Sequence, residues 1–342
     1  MPMPMPTPVL PRVLLPLLAG AAPASAQGSQ PASRPASLEL GSGAHRYRWQ
    51  SGFGQLPAGM AFGNTHGGIV TDKQGNVYMN TDSEHAVIVF TPAGEFLRSW
   101  GKEFRGGLHG MAIVAEGDQE FLLLAHTARH EVVKTTLAGQ VLWAKGFPQT
   151  AGIYQKPDQY LPTAVAVAPD GRFFVADGYG QSWVHQYDAK GDYVRSFGGR
   201  GTEPGKMQTP HGLWLDTRGK TPVLLVADRE NHRIQRFDLD GKLIDVLTPD
   251  LRRPCGMHQW RDLLVVADLA GRITLLDADN KLICHLGENQ DPKQWAQNGV
   301  PREQWVDGQF VSPHAARFDR DGNLYVLDWL AQGRFSKLTR EK

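Results

Sequence analysis

Cysteine is nearly absent from this chain: Cys255 and Cys284 are the only two in 342 residues. That excludes a small scaffold stapled by disulfides. The pair falls on the innermost and outermost strands of one repeat unit, where the two are expected to lie too far apart to bond. An excess of either charge is missing too, with 36 Lys and Arg against 35 Asp and Glu. Such a balance offers nothing to draw nucleic acid or an anionic membrane. No apolar run approaches the roughly 20 residues of a membrane-spanning helix. No stretch sustains a 3.6-residue apolar period, so helix is expected to be scarce. Local metal-binding motifs are also lacking.

The first residues read as an address. Arg12 supplies a positive start, Val13 to Ala22 a short apolar stretch interrupted by Pro16, and Ala24-Ser-Ala26 a small-residue cleavage signal. Residues 1–26 are therefore expected to be a secretory signal peptide, which places the protein in the periplasm or outside the cell. Residues 27–44, rich in Ser, Pro, Gly and Ala, are expected to form a flexible leader.

What is abundant is repetition. Six related phrases open six units: Thr65-His-Gly-Gly68, Leu108-His-Gly-Met111, Pro162-Thr-Ala-Val165, Pro210-His-Gly-Leu213, Pro254-Cys-Gly-Met257 and Pro313-His-Ala-Ala316. Each leads into an apolar run, then a polar turn such as Asp72-Lys-Gln-Gly75 or Asp319-Arg-Asp-Gly322. Second strands follow, among them Val223-Leu-Leu-Val-Ala-Asp228 and Leu263-Leu-Val-Val-Ala-Asp268, then alternating third strands such as Arg233-Ile-Gln-Arg-Phe237. Short β-rich runs divided by Asp/Gly turns at a period of about 45 residues predict propeller blades. The expected fold is all-β: one six-bladed β-propeller over residues 45–342, with four antiparallel strands per blade. The segment His45 to Gln50 is predicted to supply the outer strand of the blade that contains His314, closing the ring and covering an open edge.

In a closed ring, equivalent positions lie equally far from one axis. The second position of the phrase is His66, His109, Thr163, His211, Cys255 and His314. A small polar residue that merely plugs the channel accounts for Thr163 and Cys255. Four imidazoles at six set positions, from a residue type numbering 12 in 342, point instead to a metal or catalytic centre. The loops entering the inner strands share a face with those between second and third strands. That face also carries Asp177-Gly-Tyr179, Asp228-Arg229 and the long insertions at 145–161 and 287–310, with Trp295 and Trp305. Functional loops on a rigid scaffold are arranged this way. Asp177, Asp228, Asp268 and Asp328 are read as turn caps. His85, His126, His130, His185, His232 and His285 are read as structural or solvent-facing, and His258 as an outside candidate for the site.

Asp228-Arg-Glu-Asn-His-Arg-Ile-Gln-Arg-Phe237 resembles the NHL repeat, a propeller-blade signature. Pro162 to Val167 with Val175-Ala-Asp-Gly-Tyr179, and Pro210-His-Gly-Leu213 with Val226 to Asn231, resemble the peptidyl-α-hydroxyglycine α-amidating lyase family. The resemblance extends over all six blades. It implies zinc held by His109, His211 and His314, with Tyr179 as catalytic base and Arg229 as a channel arginine. The chain departs from that family in four places. Thr81-Asp82 stands where the family has an essential first-blade arginine, and Ser312 where it has a methionine. Ala315 replaces the acidic residue that helps hold a structural calcium, which puts Ca2+ in doubt. His66 is an addition, open between a fourth ligand and a base beside the site. The expected function is an exported, zinc-dependent lyase that breaks a C–N bond in a carbinolamide-like small or peptide-like substrate. The alternative is a non-catalytic NHL propeller binding a protein, peptide or glycan on its loop face.

Overall fold

The structure, a computed structural model, describes residues 38–341. The expected signal peptide over 1–26 lies outside the described residues, as does the leader as far as residue 37.

Six antiparallel sheets form a six-bladed propeller. The inner strands are Thr65–Thr71, Leu108–Glu116, Ala164–Val167, Pro210–Asp216, Pro254–Trp260 and Pro313–Phe318. Each packs beside the next, and the sixth returns to the first. Among the described residues the only helical elements are three-residue 3-10 turns.

The core is divided into six layers, one in each gap between neighbouring blades. This explains the unbroken apolar second strands. In Val223–Asp228, Leu224 and Val226 face the layer shared with the preceding blade. Leu225 and Ala227 face the layer shared with the following one. A strand covered on both faces has no reason to alternate. The outer strands, covered less, leave Leu97, Val141, Val194, Ile244 and Leu282 exposed.

Ring closure follows the expected scheme. His45–Gln50 pairs antiparallel with Arg334–Arg340, placing Tyr47 opposite Arg340 and Trp49 opposite Leu338. Tyr47 and Trp49 are buried in the last inter-blade layer. The expected flexible leader is corrected at its end: Glu39–Ser42 is a strand paired with His45–Gln50, giving the sixth blade a fifth strand. Composition hid this strand because one apolar residue, Leu40, is enough to seat it on the layer below.

Close approach of the inner strands explains the Gly that follows the ring position in four phrases. A Cβ on Gly212 would meet the Cys255 carbonyl oxygen at 1.8 Å. That oxygen belongs to a packed inner strand and cannot easily yield. Gly212→Ala is expected to lower unfolding free energy by about 1–3 kcal/mol, the usual cost of overpacking. Gly299→Ala, where nothing lies within 4 Å, is expected to leave it unchanged. Denaturant titration of both variants checks the pair, and equal midpoints would contradict the described inner-strand packing.

Candidate metal centre

His109, His211 and His314 come together at the axis. Their ring centroids are 4.7, 5.1 and 4.5 Å apart for the pairs 109–211, 109–314 and 211–314. One ligand atom from each lies within 4.8 Å of the other two. The local cause is a β-bulge. Pairing steps from Leu108 to Gly110, from Pro210 to Gly212 and from Pro313 to Ala315, which leaves the intervening histidine unpaired in each blade. A bulge turns the extra side chain away from the sheet, here toward the channel.

The donor set fits a metal. His109 Nδ1 donates to the Thr163 carbonyl oxygen at 2.7 Å. A carbonyl only accepts, so the lone pair sits on Nε2, and the carbonyl orients the ring as second-sphere partners of metal ligands do. Burial depresses the His109 pKa to about 3. Burial first, then neighbouring positive groups, hold His211 and His314 well below the usual imidazole value. All three imidazoles are thus neutral and able to ligate near neutral pH. His314 Nδ1 is buried without a hydrogen-bond partner. The spacing is close to what one tetrahedral zinc with bonds of about 2.0–2.1 Å spans.

Tyr179 reaches this cluster from the loop face. Its hydroxyl lies 3.2 Å from His109 Nε2 and 3.0 Å from His211 Nε2. Arg229 Nη1 donates to the same oxygen at 3.3 Å, and its guanidinium sits 5.4 Å from the ring centroid. The ring is 39% exposed while its oxygen points inward. Burial raises the Tyr179 pKa, and Arg229 opposes the rise without cancelling it. Arg229 is anchored by Glu230, which accepts from its Nε at 2.8 Å.

His66 stands apart from the triad. Its ring is 5.3 Å from that of His109 and 5.9 Å from that of His314, but its Nε2 is 2.8 Å from Asp82 Oδ2 and 3.0 Å from Asn64 Nδ2. Burial works to raise the Asp82 pKa, and hydrogen bonds with His66 and Asn64 outweigh it to give a net lowering. Two departures from the family pattern are therefore one feature: Asp82, in the turn where the family carries arginine, partners the added histidine. Each residue was visible in the sequence; their pairing was not.

The remaining readings resolve individually. Asp177 accepts from the Leu161 and Gln181 backbone N–H groups, Asp228 from Gln208, Asp268 from Arg252, and Asp328 from Val311 and Ser312. They are turn caps, as expected. His185 is held between Tyr154 and Ser196, and His126 faces the Phe104 carbonyl. Cys255 is fully buried, and burial pushes its thiol up to about 11, so it packs rather than reacts. Both cysteines are free. Ala315 is buried in the core layer that holds Ile69 and Met79 and has no side-chain oxygen, so its side chain offers calcium no ligand.

No family model matches the chain. Peptidyl-glycine alpha-amidating monooxygenase of Mus musculus is 34% identical over 170 residues, 46% of this chain and 16% of that protein. Peptidyl-alpha-hydroxyglycine alpha-amidating lyase 1 of Drosophila melanogaster is 32% identical over 175 residues, 47% of this chain and 30% of that protein. NHL repeat-containing protein 3 of Homo sapiens is 29% identical over 187 residues, 52% of this chain and 53% of that protein. The chain thus matches about half or less of each relative, and the matched stretches are shorter than the six blades over which the resemblance was read. Among solved structures, a streptogramin B lyase superposes with a TM-score of 0.57 at 14% identity, covering 88% of this chain and all of that one. A luciferin-regenerating enzyme gives 0.56 at 11%, covering 82% and 92%. At such identities the likeness shows the fold alone. The chain is a six-bladed propeller similar in sequence to proteins named amidating lyases and NHL repeat proteins.

Proposed function

We propose that this protein is an exported, metal-dependent lyase that cleaves the C–N bond of a hydroxylated, carbinolamide-like substrate. One observation carries the reading: a phenol oxygen held by Arg229 stands within 3.2 Å of two neutral imidazoles of a three-histidine cluster. A binding propeller has no need of that convergence. The lyase-named relatives support the same class. Export rests on the N-terminal address and belongs to the same proposal.

His109, His211 and His314 would hold the metal, zinc by donor type, and a bound zinc would supply Lewis acidity toward the substrate hydroxyl. Tyr179 takes the hydroxyl proton; a cation held by the three histidines would add to Arg229 in favouring its phenolate against the burial that raises its pKa. The C–O bond becomes a carbonyl, the C–N bond breaks, and the proton passes to the departing nitrogen, giving an amide and an aldehyde. Arg229 stays charged, because Tyr179 and Glu230 offset its burial. The first-blade turn offers the Asp82 carboxylate and His66 instead of a fixed cation, which weakens the hold on a substrate carboxylate.

Metal analysis of the purified protein should find about one ion per chain, lost in His211→Ala and retained in His66→Ala, whose Nε2 is engaged by Asp82. Loss in both variants would make His66 a fourth ligand. Tyr179→Phe should keep the metal and lower turnover about 10²–10⁴-fold, the range for a positioned acid–base group. Equal turnover would remove Tyr179 as the base. In assays of aldehyde release, hydroxyglycine-extended peptides should be poorer substrates than small carbinolamides lacking the carboxylate. Absence of turnover with every such compound would favour a partner-binding loop face.

A further inference from the structure

Beneath the histidine ring the inner strands enclose a cavity of about 460 Å3. His109, His211 and His314 line one end, and Pro169, Gly171 and Thr217 line the other, in turns of the opposite face. Tyr179 and Arg229 do not line it. Its wall is largely apolar, with Met111, Val165, Leu213 and Met257 among its residues. Near the end away from the ring, three larger polar side chains interrupt that wall: Gln259, His258 and Arg317. The Gln259 amide is occupied, accepting from Trp214 Nε1 and donating to Thr217 Oγ1.

Arg317 and His258 are not so occupied. Arg317 Nε donates to Thr71 Oγ1 at 3.2 Å, and among the described residues no carboxylate forms an ion pair with it. By contrast, the well-buried Arg218, Arg229, Arg233, Arg272 and Arg334 each pair with a carboxylate. Arg317 is half-buried on the channel wall, and a guanidinium partly withdrawn from bulk water without a counter-charge is costly. The cost shows in its pKa, which burial lowers to about 10, leaving it charged at neutral pH. His258 Nδ1 accepts the Phe318 backbone N–H at 3.2 Å, so in the neutral ring Nε2 carries the proton and is a donor. Burial, then Arg317, keeps that ring neutral. Among the described residues Nε2 has no acceptor. The Trp214 ring packs on His258 at 4.5 Å between centroids.

A fixed cation and a neutral N–H donor therefore line an apolar cavity with no acceptor to receive them. We propose that this lower channel binds an amphipathic monocarboxylate, its head on Arg317 and His258 and its apolar body along the channel toward the histidine ring. The guanidinium fork matches a carboxylate, and a bare inorganic anion would leave the apolar wall in water. The site is separate from the metal centre: Arg317 lies three residues beyond His314 on an extended strand, about 10 Å at roughly 3.3 Å per residue. It does not depend on the lyase reading.

Calorimetric titration of the metal-loaded protein with acetate, butyrate, hexanoate and inorganic phosphate tests it, with Trp214 fluorescence as a second readout. Affinity should rise about fourfold per added methylene, as expected for burying each CH2, with phosphate weakest. Arg317→Met should weaken hexanoate at least tenfold at unchanged metal content and circular dichroism. Arg317→Lys should retain part of the affinity, which keeps the test valid if the Met variant folds poorly. His211→Ala, depleted of metal, should still bind. Hexanoate affinity lost in His211→Ala but kept in Arg317→Met would place the ligand on the metal and overturn the proposal. So would phosphate binding as tightly as hexanoate, or no binding by any carboxylate.

Discussion

The candidate metal centre depends on how closely six inner strands approach one another around the axis. At that distance a Cβ is too much at Gly212, so the chain places glycine after the ring residue and lets the strand bulge one residue earlier. In three blades the bulge releases one histidine from the sheet and turns it inward. Three imidazoles from positions 109, 211 and 314 meet because of backbone packing, and the geometry of the donor set follows from it. The six apolar layers between blades hold the strands at this spacing, so the site is braced from every side by core rather than by loops.

Much of this was legible in the sequence because a propeller repeats. The period located the blades, the phrases located the ring positions, and the closing strand at His45–Gln50 was recognisable as an unpaired β segment. Legibility failed where a residue's role depended on a neighbour far along the chain. Glu39–Ser42 looked like leader because its strand character rests on one half-buried leucine and a neighbouring strand, not on composition. His66 was left between ligand and base because its partner, Asp82, is sixteen residues away and across a turn. Arg317 gave no signal at all, since an arginine on an inner strand is remarkable only once the cavity it faces is known.

The channel sorts its charges by depth. On the loop face Arg229 is balanced by Glu230 and faces a phenol. At the ring, burial keeps His109, His211 and His314 neutral, so the lone pairs a cation needs are not taken by protons. Beside it the Asp82–His66 pair brings a carboxylate close to the ring without displacing a ligand. Below, Ala315 supplies no charge and Arg317 supplies one that nothing neutralises.

That order constrains what the channel can do. A doubly charged ion at the ring repels cations on either side, and the repulsion grows as the dielectric falls. Arg229 tolerates it because Glu230 lies against its guanidinium. Arg317 has no such compensation, and burial already disfavours its charge, so a metal at the ring raises the cost of leaving it unpaired. An anion held against Arg317 would lower that cost, and occupancy of the two ends of the channel would then be coupled electrostatically. The coupling runs both ways, because any ligand that favours the metal-loaded protein must favour metal loading in turn. With both ends occupied, the two halves of the channel, one built around imidazoles and one around a lone guanidinium, would act as a single electrostatic unit joined by the strand that carries both His314 and Arg317.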